Sequence, residues 1–455
     1  MKEITELLQA YPAFKEAEAA IASTKKHLIY GLGGSQKTFL YSRAMIDYGQ
    51  RSTIVVVHDK EHREQWERDL ACLLPDVPVM SFPVTESVSF AVSARSLEHH
   101  AAQMRALGSL VMNTPVVVIA TAEEAAQRLP EPEQVQSNVI VFSVDDTIDR
   151  DDMLERLVVM GYERTDQVEQ RGHFSVRGDI VDMFPVNSEV PYRIEFFGDT
   201  IDTIRSFSLD TQRSLESVES CLVVPLRTEN EERSATLLSY ASQGLIIFDE
   251  PGRIQEAWKS FIKEDRSHLI DFCDWSEAVR SIRSQGEIAF TFLQQRLSGL
   301  SGYTGIGVQG KSMTSFERQI PLLTDEIKQW QRNGHRVIIV MNNQQRREGI
   351  ERALTEEGIH FNQCQQPMDS EGSVLIMQGL LSEGFELPHC RLVVVTEGNI
   401  FGQQKRKLRK KAAKGREINY FTDLKVGDYV VHSVHGIGKY VGLKTIETEG
   451  IHKDY

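Results

Sequence analysis

One segment of the 455-residue sequence has the spacing of a phosphate-binding loop, namely Gly31-Leu-Gly-Gly-Ser-Gln36-Lys37-Thr38. Loops of the form GxxxxGK[ST] hold phosphate through backbone N–H groups at a helix N-terminus, while the lysine adds charge and the hydroxyl binds Mg²⁺. Gly31, Lys37 and Thr38 stand at the required offsets, directly after an apolar, strand-like run. Gln36 replaces the second glycine, at a position where the backbone conformation and the nearby phosphate disfavour a side chain. We therefore expect a degenerate loop retained for its shape, with a working loop as the alternative.

A pair of carboxylates, Asp249 and Glu250, follows the apolar run Leu245–Phe248. A buried strand that ends in acids is typical of sites that bind Mg²⁺ and activate water. The same pattern is common at solvated sheet edges, so it gains weight only because the chain also contains the phosphate-type loop. The candidate nucleotide-binding residues are Gly31, Lys37, Thr38, Asp249 and Glu250.

ATP hydrolysis would also require an arginine that reaches the γ-phosphate. The block from Gly334 to Gly402 has the layout of a helicase second lobe, but no arginine-bearing motif follows it before the chain becomes basic. The lack of this arginine and the replacement at Gln36 both predict that the chain does not hydrolyse ATP by itself. We assign no catalytic residue and expect no bound cofactor.

The cysteines and histidines support neither a metal site nor nucleophilic catalysis. No two of the five cysteines have CxxC spacing, and a GxSxG elbow is absent from the sequence. His432, His435 and His452 are close in sequence, but no cysteine or helical HExxH pattern accompanies them. A role in turns is therefore favoured over metal binding. Scattered cysteines in odd number are typical of reduced thiols in a cytosolic protein.

Composition indicates an acidic, soluble protein of about three domains. Hydrophobic residues make up 41% of the chain, and 51 basic minus 65 acidic residues give a net charge of −14. This balance argues against a broadly basic surface for nucleic acid. No apolar run approaches the ~20 residues needed to cross a bilayer, and the N-terminus lacks an apolar signal core. We expect a cytoplasmic protein without membrane contact.

The segment Lys405–Arg416 is a local exception, with eight basic residues and no acid. Such a charge block is usually a solvated linker helix, which is the favoured interpretation. Contact with nucleic acid or RNA polymerase is the alternative. A nucleic-acid binder that used this segment would lose affinity steeply as salt is added.

Short apolar runs rich in β-branched residues alternate with helical patterns, which is typical of α/β layers around a largely parallel sheet. The segment from Gly172 to Val224 differs, because its residues alternate in polarity and turn at Gly198-Asp199, as expected for an antiparallel insert. Within it, Phe196 and Phe197 point to opposite faces of one strand, so at least one belongs in a core. The apolar runs are His27–Tyr30, Ser52–Val57, Val116–Ala120, Val139–Phe142, Leu245–Phe248, Val337–Met341, Val374–Met377 and Leu392–Val395.

The insert carries the distinctive sequence Arg177-Gly-Asp-Ile-Val-Asp182-Met-Phe184-Pro185, followed by Tyr192–Asp199 and a third stretch that ends at Arg213. It resembles the module shared by the UvrB excision-repair helicases and the Mfd family of transcription-repair coupling factors, through which both dock on UvrA. The resemblance covers about residues 26–225 and resumes at the strand Leu245–Glu250. By motif position it implies that Arg164, Arg177 and Phe184 contact UvrA. Arginine and aromatic residues often carry interface energy, although ordinary surface arginines and core phenylalanines are the alternative.

The C-terminal stretch Lys425–Lys439 is similar to the start of the polymerase-interacting domain of the Mfd family, which UvrB lacks. The replacement at Gln36 also agrees with that family, whose N-terminal RecA-like domain has a degraded nucleotide site. After the run Val116–Ala120 there is no room for the long DNA-clamping hairpin of UvrB. A UvrB-like ATP-dependent helicase that uses Lys37, Thr38 and the acidic pair remains the alternative.

The resemblance implies a UvrA-recruiting scaffold, expected to be the N-terminal portion of a longer, monomeric coupling factor. Its parent would bind the β subunit of stalled RNA polymerase, displace the enzyme from damaged double-stranded DNA by ATP-driven translocation, and initiate nucleotide excision repair. ATP and Mg²⁺ are then expected for the full-length motor and not for these residues. The predicted class is α/β, in the following segments: a degenerate RecA-like domain at 1–130 and 214–315, an inserted α+β UvrA-docking module at 135–213, a small α/β domain resembling a vestigial helicase lobe at 316–400, a basic linker at 401–424, and the start of a small β-barrel for polymerase at 425–455.

Overall fold

The computed structural model describes residues 11–84, 94–226, 233–264, 271–294, 301–363 and 372–402, together with four short strands after residue 428. The chain forms two compact units, Met1–Gly402 and Gln403–Tyr455. Among the described residues, no helix has both the length and the apolar character required to cross a membrane. The basic run Lys405–Arg416 and His435 lie outside the described residues.

The helices and strands are numbered in chain order. The helices are α1 Pro12–Ala22, α2 Ser35–Tyr48, α3 Lys60–Leu73, α4 Ala94–Val111, α5 Ala122–Ala125, α6 Pro132–Ser137, α7 Arg150–Val159, α8 Pro251–Glu264, α9 Trp275–Arg280, α10 Ile320–Arg332, α11 Gln344–Glu356 and α12 Glu397–Phe401. The strands are β1 Lys26–Tyr30, β2 Thr53–Val57, β3 Val79–Ser81, β4 Val117–Thr121, β5 Ile140–Ser143, β6 Glu163–Arg164, β7 His173–Arg177, β8 Ile180–Met183, β9 Tyr192–Phe197, β10 Thr200–Phe207, β11 Ser214–Val218, β12 Ser220–Val223, β13 Leu245–Asp249, β14 Gly286–Thr291, β15 Thr304–Gly307, β16 Lys311–Ser312, β17 Arg336–Met341, β18 Asn362–Gln363, β19 Val374–Gln378, β20 Phe385–Leu387, β21 Leu392–Thr396, β22 Tyr429–His432, β23 Gly436–Lys439, β24 Thr445–Thr448 and β25 Ile451–Asp454.

The first sheet has seven parallel strands in the order β15-β1-β14-β13-β2-β4-β3. The interior strand β2 is buried along its whole length, because helices cover both faces of the sheet. Val55 and Val57 pack towards α1, α2 and α3, while Ile54 and Val56 pack towards α4 and α8. A continuous run of β-branched residues is the sequence signature of such a strand.

The second sheet is mixed, with the order β16-β20-β21-β17-β19-β18. One face packs under α10 and α11, and the other packs against the same α1–α3 layer that covers the first sheet. The ring of Phe39 on α2 lies 5.3 Å from that of Phe385 on β20, so the two sheets share one apolar core. Helices α1–α3 are thus sandwiched between two sheets.

The insert contains a six-stranded sheet, β11-β10-β9-β8-β7-β6, which is antiparallel except for the pair β6–β7. Helix α7 covers one face through Met153 and Leu157. The predicted α/β class with an antiparallel insert is confirmed. In the second unit, β22–β23 and β24–β25 form two antiparallel pairs, and no closed barrel is present among the described strands.

Two expectations from the sequence need correction. The run Val139–Phe142 was expected in a parallel sheet, but β5 pairs antiparallel with β12 in a separate two-stranded sheet. An apolar run of four residues does not reveal the direction of its partner strand. In addition, β11 pairs with β10 and β12 with β5, so the insert's strands continue past the boundary expected after residue 213.

Candidate functional site

The Gly31–Thr38 loop keeps the backbone form of a phosphate loop. It leaves β1 and enters α2 at Ser35, at the carboxyl edge of the parallel sheet. Gly31 has a φ of 93°, and a Cβ at this position would collide with the carbonyl oxygen of Val308. Gly34 is also left-handed, with a φ of 49°. Glycine is required at both positions, so the shape of the loop follows directly from its sequence.

Gln36 stands where the second glycine of a working loop would lie. Its side chain is only 3% exposed and lies against the backbone of Gly310, where a Cβ would collide with Gln36 Oε1. That oxygen is buried without a hydrogen-bond partner. The replacement is therefore built into the packing between α2 and the chain that follows β15.

Lys37 forms ion pairs with the two acidic residues that the sequence placed at this site. Its Nζ lies 2.5 Å from Asp249 Oδ1 and 3.1 Å from Glu250 Oε1, and all three side chains are largely buried. Burial by itself would lower the pKa of Lys37, but the two carboxylates outweigh it and raise this pKa above its ordinary value. For Asp249, burial favours the protonated form, and the attraction of Lys37 nevertheless holds its pKa below the ordinary range. The three residues form a buried ion-pair cluster.

The other contacts of these side chains are also internal. Trp66 Nε1 donates to Asp249 Oδ2 at 2.7 Å, and the backbone N–H of Phe292 donates to Glu250 Oε1 at 2.8 Å. Thr38 Oγ1 lies 3.0 Å from Asp69 Oδ2, to which it donates. The fold thus brings Lys37, Asp249 and Glu250 into contact, whereas Thr38 binds Asp69. Their arrangement does not fit ATP with Mg²⁺, because the lysine, both carboxylates and the hydroxyl already bind one another or neighbouring groups.

The docking module presents the predicted UvrA-contact residues in three different settings. Arg177 is exposed at the end of β7, and its Nη2 donates to the carbonyl oxygen of Asp166 at 2.9 Å. Arg164 is exposed on β6, and its register opposite Phe174 places it on the face of the sheet that α7 covers. Side chains alternate between the two faces of a strand, so Arg177 lies on the outer face of the sheet, away from α7.

Phe184 is buried, with 6% of its surface exposed, in a small cluster with Val168 and Phe207 on the outer face. The guanidinium of Arg171 lies over its ring, 5.3 Å from the centroid, and also pairs with Glu189 at 2.7 Å. A buried ring supports the surface above it and leaves Arg171 as the group that solvent and a partner can reach. Sequence reasoning did not single out Arg171, because its proximity to Phe184 depends on tertiary folding.

Two further residues of the outer face were not selected from the sequence. Phe197 is 84% exposed, while its neighbour Phe196 is 6% exposed in the core, which confirms that at least one of this pair is a core residue. Ile180 lies between Arg177 on β7 and Glu195 on β9 in the strand register. By contrast, both Nε and Nη2 of Arg193 bind Asp182, at 2.7 and 2.8 Å, so this arginine is held within the module.

Family models match three parts of the chain. Residues 140–228 match the UvrB interaction domain, residues 330–400 match the model described as MFD, D3 domain, and residues 424–455 match the CarD-like/TRCF RID domain. The first match covers the whole six-stranded sheet and the β5–β12 pair, and the second covers most of the second sheet.

Curated relatives give the same picture over almost the entire chain. The sequence is 28% identical to a transcription-repair-coupling factor of Bacillus subtilis over 95% of this chain and 43% of the relative. The corresponding proteins of Staphylococcus haemolyticus and Staphylococcus aureus are 24% and 26% identical, over 99% and 94% of this chain. The chain spans less than half the length of these relatives. The resemblance predicted from the sequence is confirmed.

Proposed function

We propose that this chain is the UvrA-recruiting scaffold region of a transcription-repair coupling factor, with the docking surface on the six-stranded sheet of the insert. The observation that carries the proposal is the match of residues 140–228 to the UvrB interaction domain, over the same residues that form this sheet. The relatives are named transcription-repair-coupling factors, and this name supports a wider role in linking transcription to repair.

The docking surface in this proposal is the outer face of the sheet. Arg177, Ile180 and Glu195 lie side by side across β7, β8 and β9, and Phe197 extends the same face at the end of β9. An arginine in a row with apolar and acidic side chains is the kind of composition that gives an interface both bidentate pairing and buried area. Helix α7 covers the centre of the opposite face, where the edge strand β6 leaves Arg164 exposed.

RNA polymerase is the second proposed partner, through its β subunit. The support is the match of residues 424–455 to the CarD-like/TRCF RID domain. In the parent protein, other segments would displace polymerase, bind double-stranded DNA and drive translocation. Those other segments would require ATP and Mg²⁺.

The internal ion pairs of the candidate nucleotide site disfavour the alternative of a UvrB-like helicase. A working site needs Lys37 and the carboxylates free for phosphate and Mg²⁺, but these groups bind each other at 2.5 and 3.1 Å. Steady phosphate release by the purified chain, stimulated by DNA, would favour the helicase instead.

The test is a titration of the whole chain with purified UvrA, comparing wild type with Arg177→Ala. Removal of an interface arginine is expected to weaken binding about tenfold or more. The matched control is Arg156→Ala, an exposed arginine on α7, on the other side of the module. This control should bind as wild type does.

Two results would contradict the proposal. One is a folded wild-type chain that does not bind UvrA at micromolar concentration. The other is equal binding by Arg177→Ala and Arg156→Ala, which would remove the outer face from consideration. Circular dichroism of each variant shows whether the chain is folded.

A further inference from the structure

The loop between β19 and β20 is held directly by the phosphate-loop region. The backbone N–H of Ser382 donates to Asp69 Oδ1 at 2.7 Å, and the backbone N–H of Glu383 donates to Ser35 Oγ at 2.9 Å. Ser35 is the first residue of α2 and Asp69 lies on α3. Side chains of these two helices therefore bind two consecutive amides in the loop that joins two strands of the second sheet.

The acceptors of these two bonds are tied to the residues of the phosphate loop itself. Asp69 is completely buried, and its Oδ2 accepts the hydroxyl of Thr38 at 3.0 Å. The Ser35 hydroxyl also interacts with the Asp69 carboxylate. Thr38, which would bind Mg²⁺ in a working loop, here orients the carboxylate that holds Ser382.

The side chain of Glu383 reaches the same loop. A Cβ on Gly34 would collide with Glu383 Oε2, so this carboxylate lies against the backbone where phosphate would approach. A fixed negative charge at this point repels a phosphate group, in addition to the space that it takes. The chain thus supplies its own anionic group at the mouth of the loop.

We propose that Ser35, Thr38 and Asp69 form a clasp for Ser382 and Glu383, and that this clasp joins the two sheets in place of a bound nucleotide. The loop geometry is retained because it positions Ser35 and Thr38 for this purpose. The clasp lies beside the apolar core shared by α1–α3 and the second sheet, including the Phe39–Phe385 contact, so polar and apolar contacts fix the same relative position. The proposal is independent of UvrA docking.

The test is hydrogen–deuterium exchange of the whole chain, read at the amides of Ser382 and Glu383. Both hydrogen bonds are partly buried, and removing the acceptor of either one should speed exchange about tenfold or more at the amide that loses its partner. We expect Ser35→Ala to act mainly on Glu383 and Asp69→Ala to act mainly on Ser382. Glu64→Ala, an exposed acid on α3, is the matched control and should exchange as wild type does.

Nucleotide provides the second arm of the experiment. Adding millimolar ATP with Mg²⁺ to wild type should leave exchange unchanged in both the 31–42 and 378–387 segments. Protection of the 31–42 segment by ATP, lost in Lys37→Ala, would overturn the proposal.

The fold of the variants does not limit this test. Ser35→Ala removes one hydroxyl from the first position of α2 and is the milder change. Even if Asp69→Ala fails to fold, unchanged exchange at Glu383 in a folded Ser35→Ala variant would overturn the clasp. Faster exchange at Glu383 there, with none in Glu64→Ala, would support it.

Discussion

Lys37 shows how a residue kept from a nucleotide-binding pattern can serve stability. Its ammonium group is buried with Asp249 and Glu250, and Asp249 also accepts a hydrogen bond from Trp66. Removing one partner of a buried ion pair leaves the other charge without compensation, which typically costs about 3–5 kcal/mol. The lysine is therefore expected to stabilise the fold, whether or not a nucleotide ever binds.

We predict that Lys37→Ala lowers the free energy of unfolding at pH 7 by about 3 kcal/mol or more. The native pKa of Asp249 is held below its ordinary value of 3.8, so the pair's contribution is present above that pH and is lost as pH falls through the lower native pKa. The difference between wild type and variant should consequently shrink as the solution is acidified below 3.8. Urea unfolding at several pH values measures it.

The control for this prediction is Lys259→Ala, an exposed lysine on α8. Surface substitutions of this kind change stability by no more than about 0.5 kcal/mol. If Lys37→Ala were as mild as Lys259→Ala, the ion-pair cluster would have no structural role, and a free lysine available for phosphate would again be an option.

At the scale of the element, the six-stranded sheet has buried side chains that support its surface and exposed side chains that a partner could contact. Phe196 and Phe184 are buried on opposite faces of the sheet, whereas Phe197 is almost fully exposed. Strand alternation accounts for the Phe196–Phe197 pair, because neighbours on a strand point to opposite sides. It does not account for Phe184, which follows the end of β8 and is covered by Val168 and Arg171.

Phe184→Ala and Phe197→Ala should accordingly differ in their effect on stability. Phe184→Ala is expected to lower the unfolding free energy by about 3 kcal/mol, as for other buried phenylalanines, and to weaken UvrA binding through the altered support of Arg171. Phe197→Ala should leave stability within about 0.5 kcal/mol of wild type and still weaken UvrA binding. Thermal unfolding and the UvrA titration together distinguish the two.

An unstable Phe197→Ala variant would show that this ring is not free at the surface. A stable one that binds UvrA as wild type does would place the docking site away from the end of β9. In that case Arg164, on the opposite face of the sheet, would be the next residue to change.

The sequence predicted the strands of the first and second sheets well wherever the run of β-branched residues was uninterrupted, as in β2 of the first sheet and β21 of the second. It missed β14, Gly286–Thr291, because Glu287 interrupts the apolar pattern. That carboxylate is accommodated by Lys26 at 2.5 Å and the hydroxyl of Tyr303 at 2.8 Å, contacts that only the fold creates. Single charged residues in a buried strand need such partners, and these partners are distant in sequence.

The candidate nucleotide residues could be selected from the sequence, but their contacts in the fold could not. Lys37, Thr38 and the acidic pair were recognisable because motif spacing is local. Thr38 binds Asp69, which lies on a second helix. Ser382, which binds Asp69, and Glu383 precede β20 of the second sheet, and Ser382 is more than 300 residues from Asp69 in sequence. No local pattern marks these partners, so the clasp became apparent only when the two sheets were seen together.

At the scale of the whole molecule, the proposed partners fall on different compact units. The UvrB interaction match lies within Met1–Gly402, while the CarD-like match lies within Gln403–Tyr455. Compact units of this kind generally fold independently. UvrA recruitment and polymerase binding should therefore be separable by shortening the chain.

We predict that a chain ending at Gly402 keeps the thermal unfolding transition of the first unit, because the two sheets and the insert with their helices all lie before this residue. It should bind UvrA as tightly as the 455-residue chain and should lose binding to RNA polymerase. Titration of both chains with each partner measures this, with Arg177→Ala in the shortened chain as the control for specific UvrA binding. Retained polymerase binding by the shortened chain would move that contact into the first unit, and loss of UvrA binding without unfolding would mean that residues after 402 take part in the docking surface.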